Sequence, residues 1–292
     1  MQNQSTPSQA AEARVDAHVD QPYPDSLYRP VRTAELIPDF ERLDQAAMDR
    51  YHRDGFIAIE RGFESAVIED AKAAIQDLLM GLNAEFNALL YENVAARVDL
   101  DSIDPLKRAE MVRKLTDFTH LDDRLSRVLN DPTLIDFVQA VVGEPPTCFQ
   151  EMALLKPPGG GREKPWHQDH AYFDVPEGTP IVGAWIALDR ARLDNGCMHA
   201  VAGSHHEIIP HHRVRDWQIC DSNLDGKEIL AVTLPPGGVM LFSGLLMHGT
   251  PTNSSPHKRR ALQFHYVGQS VQRTATEERL ALFGSEGRDA EC

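Results

Sequence analysis

At Gly143 the chain changes texture, and that change limits what it can fold into more than any other feature. Downstream, the apolar residues come in short runs separated by glycine, proline and polar turns: Phe149 to Leu155, Ile181 to Leu188, Met198 to Val201, Ile229 to Leu234, Val239 to Leu246 and Ala261 to Val267. Runs of this length bounded by turn residues read as strands, and several in succession imply two packed sheets, a sandwich or jelly roll. The expected class is α+β, a sandwich or jelly-roll core with helices packed on one outer face.

Upstream the apolar spacing is helical. Leu36 to Arg53 reads as a helix stopped by Asp54-Gly55, ahead of an apolar strand Phe56 to Ile59. A second helix should follow Glu64, with Val67, Ala71, Ala74, Leu78 and Leu79 as its buried stripe. A third is expected from Asp104-Pro105, carrying Met111, Leu115 and Phe118, and a fourth from Asp131-Pro132 to Val142, ending at Gly143. With 292 residues and 42% hydrophobic content the chain can bury one large core. We therefore expect a flexible leader over 1–35, one domain over 36–275 (helix-rich 36–143, jelly roll 144–275) and a charged, peripheral tail over 276–292.

A net charge of −15 argues against nucleic acid or an anionic membrane as partner, because both are polyanions. No run is apolar enough to span a bilayer, and Met1 to Pro30 lack the plan of a signal peptide. Cys148, Cys197, Cys220 and Cys292 have no metal-type spacing and read as reduced thiols of a cytoplasmic protein.

Chemistry concentrates in Trp166-His167-Gln168-Asp169-His170. On an extended strand, His167 and Asp169 point to one face, since side chains alternate with period two. A third ligand can come from His248, which ends the apolar run from Met240. Two histidines and a carboxylate, with other positions open, form the facial triad of non-haem Fe(II) oxygenases. After His248 a polar Pro/Asn/Ser loop leads to Arg259-Arg260 and a further strand, so a hairpin can return a guanidinium to the metal for bidentate capture of a dicarboxylate. Pro157 to Gly161 is a loop feeding the metal strand, because no helix follows it to make a phosphate cradle.

These motifs, with Tyr51 to Ile57, Asp194-Asn195-Gly196-Cys197-Met198, Ala202-Gly203-Ser204-His205 and Pro236-Gly237-Gly238, resemble the phytanoyl-CoA dioxygenase family of Fe(II)/2-oxoglutarate oxygenases over about residues 48–268. The resemblance implies a double-stranded β-helix fold. It also implies Fe(II) on His167, Asp169 and His248, with 2-oxoglutarate and O₂ as co-substrates of the hydroxylation of a small molecule, released with succinate and CO₂. Relatives that halogenate carry a small residue at the carboxylate position; Asp169 points to hydroxylation instead.

By the same resemblance Arg259 holds the distal carboxylate of 2-oxoglutarate, while Arg260 faces the other side of the strand. Thr250 offers a hydroxyl to the co-substrate or caps a turn. Trp185 lines its pocket or fills core, and Lys114 reaches the pocket from a helix or is solvated. Gln168 projects to the opposite face, where it can orient a ligand. In His205-His206 and His211-His212-Arg213-Val214-Arg215, adjacent histidines diverge, which disfavours a second metal; His211, Arg213 or Arg215 at the pocket mouth could bind an anionic substrate. Two other readings stand beside the hydroxylase: a cupin-like metal enzyme that does not use 2-oxoglutarate, and a binding protein on the same fold.

Overall fold

The computed structural model describes residues 14–15, 22–100, 102–284 and 292. Its strands are β1 (Arg14–Val15), β2 (Arg32–Thr33), β3 (Leu36–Asp39), β4 (Phe56–Arg61), β5 (Leu89–Tyr91), β6 (Val112–Thr116), β7 (Pro146–Lys156), β8 (Lys164–His167), β9 (Val182–Ala187), β10 (Met198–Val201), β11 (His211–Arg213), β12 (Trp217–Ile219), β13 (Ile229–Val232), β14 (Val239–Ser243), β15 (His248–Thr250) and β16 (Arg259–Gly268). The helices are α1 (Gln45–Asp54), α2 (Ser65–Leu79), α3 (Pro105–Glu110), α4 (Asp123–Leu129), α5 (Pro132–Val142) and α6 (Thr276–Phe283). A large sheet runs β1-β5-β6-β7-β16-β9-β14-β4-β3, and a smaller one runs β2-β13-β10-β15-β8. Each of the six apolar runs after Gly143 contains a strand.

Alternation along the large sheet divides its side chains between two layers. Ala184 and Ile186 of β9, Leu241 of β14, and Leu262 and Phe264 of β16 join the buried cluster that α2, α4 and α5 complete. Their neighbours Trp185, Ala187, Met240 and Ala261 turn inward to meet β10 and β13 of the smaller sheet. The helices thus cover the outer face, while the space between the sheets holds the site.

Local chemistry sets the helix ends. The Asp44 carboxylate accepts the Ala47 N–H at the start of α1, and Gly55 ends it at φ +79°, a conformation that glycine adopts without a Cβ clash. Asp131 likewise accepts from Thr133 and Leu134 ahead of α5. In α2, Ile68, Ala71, Ala74, Ile75, Leu78 and Leu79 are buried; each larger side chain contributes about 1.5–3 kcal/mol in transfer free energy.

Several expectations need correction. The helix read from Leu36 begins only at Gln45; Leu36–Asp39 is a strand parallel to β4, consistent with Pro38 forcing its predecessor out of the helical region. The helix expected to carry Leu115 stops at Glu110, and Val112–Thr116 pairs with β5 and β7. Of the leader, residues 22–35 pack on the core: Leu27 and Tyr28 are buried, and β2 pairs with β13. Residues 1–13 and 16–21 lie outside the described set.

The tail is not peripheral either, because α6 buries Phe283 completely against His170, His211 and Trp217. Cys220 and Cys292 form a disulfide, leaving Cys148 and Cys197 as free thiols. The all-reduced reading that supported a cytoplasmic address therefore fails. Among the described residues, no helix is long and apolar enough to cross a membrane.

Candidate active site

His248 opens β15 directly opposite His167 at the end of β8, with their ring centroids 4.2 Å apart. Asp169 is not on the strand but starts the 3-10 turn Asp169–Tyr172. Gln168 remains extended at φ −112° and ψ 129°, so the period-two geometry survives one residue beyond the ladder and aims the carboxylate at both rings. One Asp169 oxygen, Oδ1, lies 3.2 Å from His167 Nε2 and 3.7 Å from His248 Nε2. The three residues are buried, and their ligand atoms lie within 4.8 Å of one another.

Both rings are aimed by the backbone. His167 Nδ1 lies 2.7 Å from the Pro165 carbonyl and His248 Nδ1 lies 3.0 Å from that of Leu246, so Nδ1–H donates and Nε2 keeps its lone pair. Burial, with His167 alongside, depresses the His248 pKa to about 4, which favours the neutral form a metal requires. Burial works against the Asp169 carboxylate, but His248, His265 and the hydrogen bonds it accepts hold it well below the usual range.

A cavity of about 270 Å³ opens onto this set, and its lining includes Lys114, Met152, Trp185, Thr250, Arg259 and Gln263. Arg259 is 2% exposed, and among the described residues its Nε and Nη1 have no hydrogen-bond partner; nor do Thr250 Oγ1 and Trp185 Nε1. Its guanidinium lies 5.4 Å from the Trp185 ring. Burial lowers the Arg259 pKa only to about 10, so it remains a cation at neutral pH. A buried cation with unfilled donors, beside an unfilled hydroxyl, is costly in the free protein and suits a carboxylate ligand. These residues therefore fit Fe(II) and a chelating dicarboxylate. Arg260 turns away, bonding Asp189 at 2.8 and 2.9 Å.

Other expected residues fall elsewhere. Lys114 does line the cavity, but from strand β6. Gln168 is not among the lining side chains: its amide donates to the Glu207 and Leu245 carbonyls and accepts from Ile209 N–H, tying the loop before β11 to the metal turn. His211 is buried, with Nε2 accepting the Gln168 N–H at 3.0 Å. Arg215 is occupied by Glu163 and Asp221, and Arg213 lies 5.9 Å from the Trp217 ring. None of these three lines the cavity.

His265 and Gln263 were missed. Both reach Asp169 Oδ2, at 2.7 and 3.2 Å. Their signal was the two-residue period from Arg259, which puts 261, 263 and 265 on the same inward face.

Fold and site together define the class: a non-haem iron oxygenase that uses Fe(II), 2-oxoglutarate and O₂. Within it, the chain belongs to the Phytanoyl-CoA dioxygenase (PhyH) family, whose profile matches residues 51–261. It is 25% identical over 245 residues to a probable phytanoyl-CoA dioxygenase of Caenorhabditis elegans, covering 78% of this chain and 76% of the relative. It is 28% identical over 274 residues to the ectoine dioxygenase of Halomonas elongata, covering 84% and 79%. Among solved structures, EctD from S. alaskensis with 2-oxoglutarate and 5-hydroxyectoine superposes with a TM-score of 0.61 at 22% identity, covering 90% of each chain. The 2-oxoglutarate-dependent carbocyclase SnoK from nogalamycin biosynthesis gives 0.63 at 17% identity, covering 89% of this chain and 97% of that one.

Proposed function

We propose that the protein hydroxylates one C–H bond of a small organic substrate, with release of succinate and CO₂. The observation that carries this reading is Asp169, present in the ligand set and held by two side chains behind it. With a carboxylate as third protein ligand, His167, Asp169 and His248 would hold Fe(II) and leave it open to 2-oxoglutarate and O₂. A halide would need the position that Asp169 takes.

Fe(II) and 2-oxoglutarate, when bound, supply the oxidising power; the chain supplies placement. His167, Asp169 and His248 hold the metal. Arg259 would pair with the distal carboxylate of 2-oxoglutarate, Thr250 would offer its hydroxyl to the co-substrate, and Trp185 walls the pocket. Lys114 adds positive charge from β6. The unfilled donors of Arg259 favour this reading over a cupin-like enzyme without the co-substrate, and the complete ligand set favours turnover over simple binding.

The test is anaerobic addition of Fe(II) and then 2-oxoglutarate, watching for the weak visible charge-transfer band of the chelate. We expect the band in the parent, its loss in Asp169→Ala, and a need for far more co-substrate in Arg259→Ala. Iron binding with no spectral change and no heat on adding 2-oxoglutarate would overturn the proposal. With substrate, the expected product is heavier by one oxygen atom.

A further inference from the structure

The cavity carries more positive charge than the metal and co-substrate use. Six of its lining side chains are cationic and three acidic, in a protein whose net charge is −15. On the assignment proposed above, the metal dication, Asp169, dianionic 2-oxoglutarate and Arg259 balance one another. Lys156 belongs to the fold: it is buried, and its ammonium donates to the carbonyls of Arg162 and Pro251 at 2.7 and 2.5 Å. Arg113, Lys114, Arg162 and Lys164 remain, opposed by Glu92 and Asp216.

Lys164 pairs with Asp216 at 2.7 Å, and Arg162 lies 3.9 Å from Glu92. The excess is one of charge and not of unmade contacts. A cleft of one sign between low-dielectric walls concentrates ions of the other sign.

Geometry narrows the ligand further. Lys164 Nζ donates to the Tyr172 hydroxyl at 2.9 Å and lies 4.5 Å from that ring, which packs edge-on against His167 at 5.6 Å. The cationic wall is therefore one aromatic ring away from a metal ligand. Leu90, Leu154 and Phe173 line the same cavity and offer apolar contact for a short carbon skeleton.

We propose that the substrate is a small organic anion, held through a carboxylate or phosphate group by Arg113, Arg162 and Lys164, with its skeleton over Leu90, Leu154 and Phe173. The proposal rests on the oxygenase reading above, and the experiment separates the two.

The parent protein, loaded anaerobically with Fe(II) and saturating 2-oxoglutarate, is titrated in a calorimeter with butanoate and butyl phosphate, and with the uncharged butanamide and cationic butylamine. Both anions, or one of them, should bind while the amide and the amine do not; the carboxylate and phosphate arms identify the group recognised. Arg113→Gln and Arg162→Gln should each weaken that binding about tenfold or more, the scale of one charge-assisted hydrogen bond, while 2-oxoglutarate still gives its band.

Three results overturn the proposal: butanamide binding as well as butanoate, no anion binding at millimolar concentration, or variants that bind the anions like the parent. A parent that gives no chelate band instead fails the oxygenase reading. The same titration with Fe(II) alone then still scores the preference for anions.

Discussion

His265 Nε2 lies 2.7 Å from Oδ2 of Asp169, the oxygen turned away from His167 and His248. His265 is fully buried, its ring packed at 4.9 Å against Phe173. A carboxylate whose second oxygen is engaged in this way presents one oxygen to the metal and does not close over a further position. Removing such support behind a ligand typically costs about 10–100-fold in metal affinity. His265→Ala should show that loss in anaerobic Fe(II) calorimetry, with a smaller loss for Gln263→Ala and partial recovery in His265→Gln. An Fe(II) affinity equal to the parent's in His265→Ala would remove its role in orienting Asp169.

Arg259 sets stability against binding. A buried guanidinium with unfilled donors is destabilising until a ligand arrives. Arg259→Met should therefore raise the melting temperature of the ligand-free protein, by about 2–4 °C for each kcal/mol recovered in a domain of this size, and should remove 2-oxoglutarate binding. Calorimetric melting with and without 2-oxoglutarate checks both parts: the parent melts higher with the ligand, the variant does not respond.

Acid should destabilise the protein through histidines buried in neutral form. Burial lowers His170 and His199 to about 4 and His211 to about 3, from an ordinary 6.5. Their folded values lie below the unfolded one, so in mild acid the unfolded chain binds more protons. Stability from these groups is complete above about pH 6.5 and declines as pH falls toward 4, by about 1–2 kcal/mol for each at pH 5. Urea denaturation of the metal-free protein at pH 7 and pH 5 should show a clearly lower midpoint at pH 5. Equal midpoints would mean that these rings accept protons without leaving their sites.

The Cys220–Cys292 bond joins residues 72 positions apart. In the chain-entropy account a loop of this size is worth about 4 kcal/mol, so reductant should lower the melting temperature and Cys292→Ser should match the reduced parent. Mass spectrometry after alkylation under denaturing, non-reducing conditions should find two modified cysteines, Cys148 and Cys197. Four modified cysteines would show that the bond does not form.

What the sequence made legible were features set by near neighbours. Strand alternation, the stops at Gly55 and Gly143, and the spacing from His167 to Asp169 are local, and the structure keeps them. Lys114 was legible as a pocket residue but not as a strand residue, because helix and strand compete over so short a run. Pairing with β7 decides it. The Cys220–Cys292 contact, the Tyr28–Glu163 hydrogen bond and the burial of Phe283 depend on segments brought together only by the finished fold. His265 was hidden for another reason: in a strand that reads as core, a histidine looks like packing until the partner of its ring nitrogen is seen.

Phe283 bears on how firmly the metal strand is held. It packs against His170 and His211, and His211 receives the N–H of Gln168, the residue between His167 and Asp169. On the opposite side, Trp166 stacks on Tyr28 and donates to the Leu27 carbonyl. The metal strand is thus clasped by segments translated more than 250 residues apart. A chain that lacks α6 keeps His167, Asp169 and His248 but loses the Phe283 packing behind Gln168, so the same three ligands should hold Fe(II) less firmly when the far end of the chain is not docked on them.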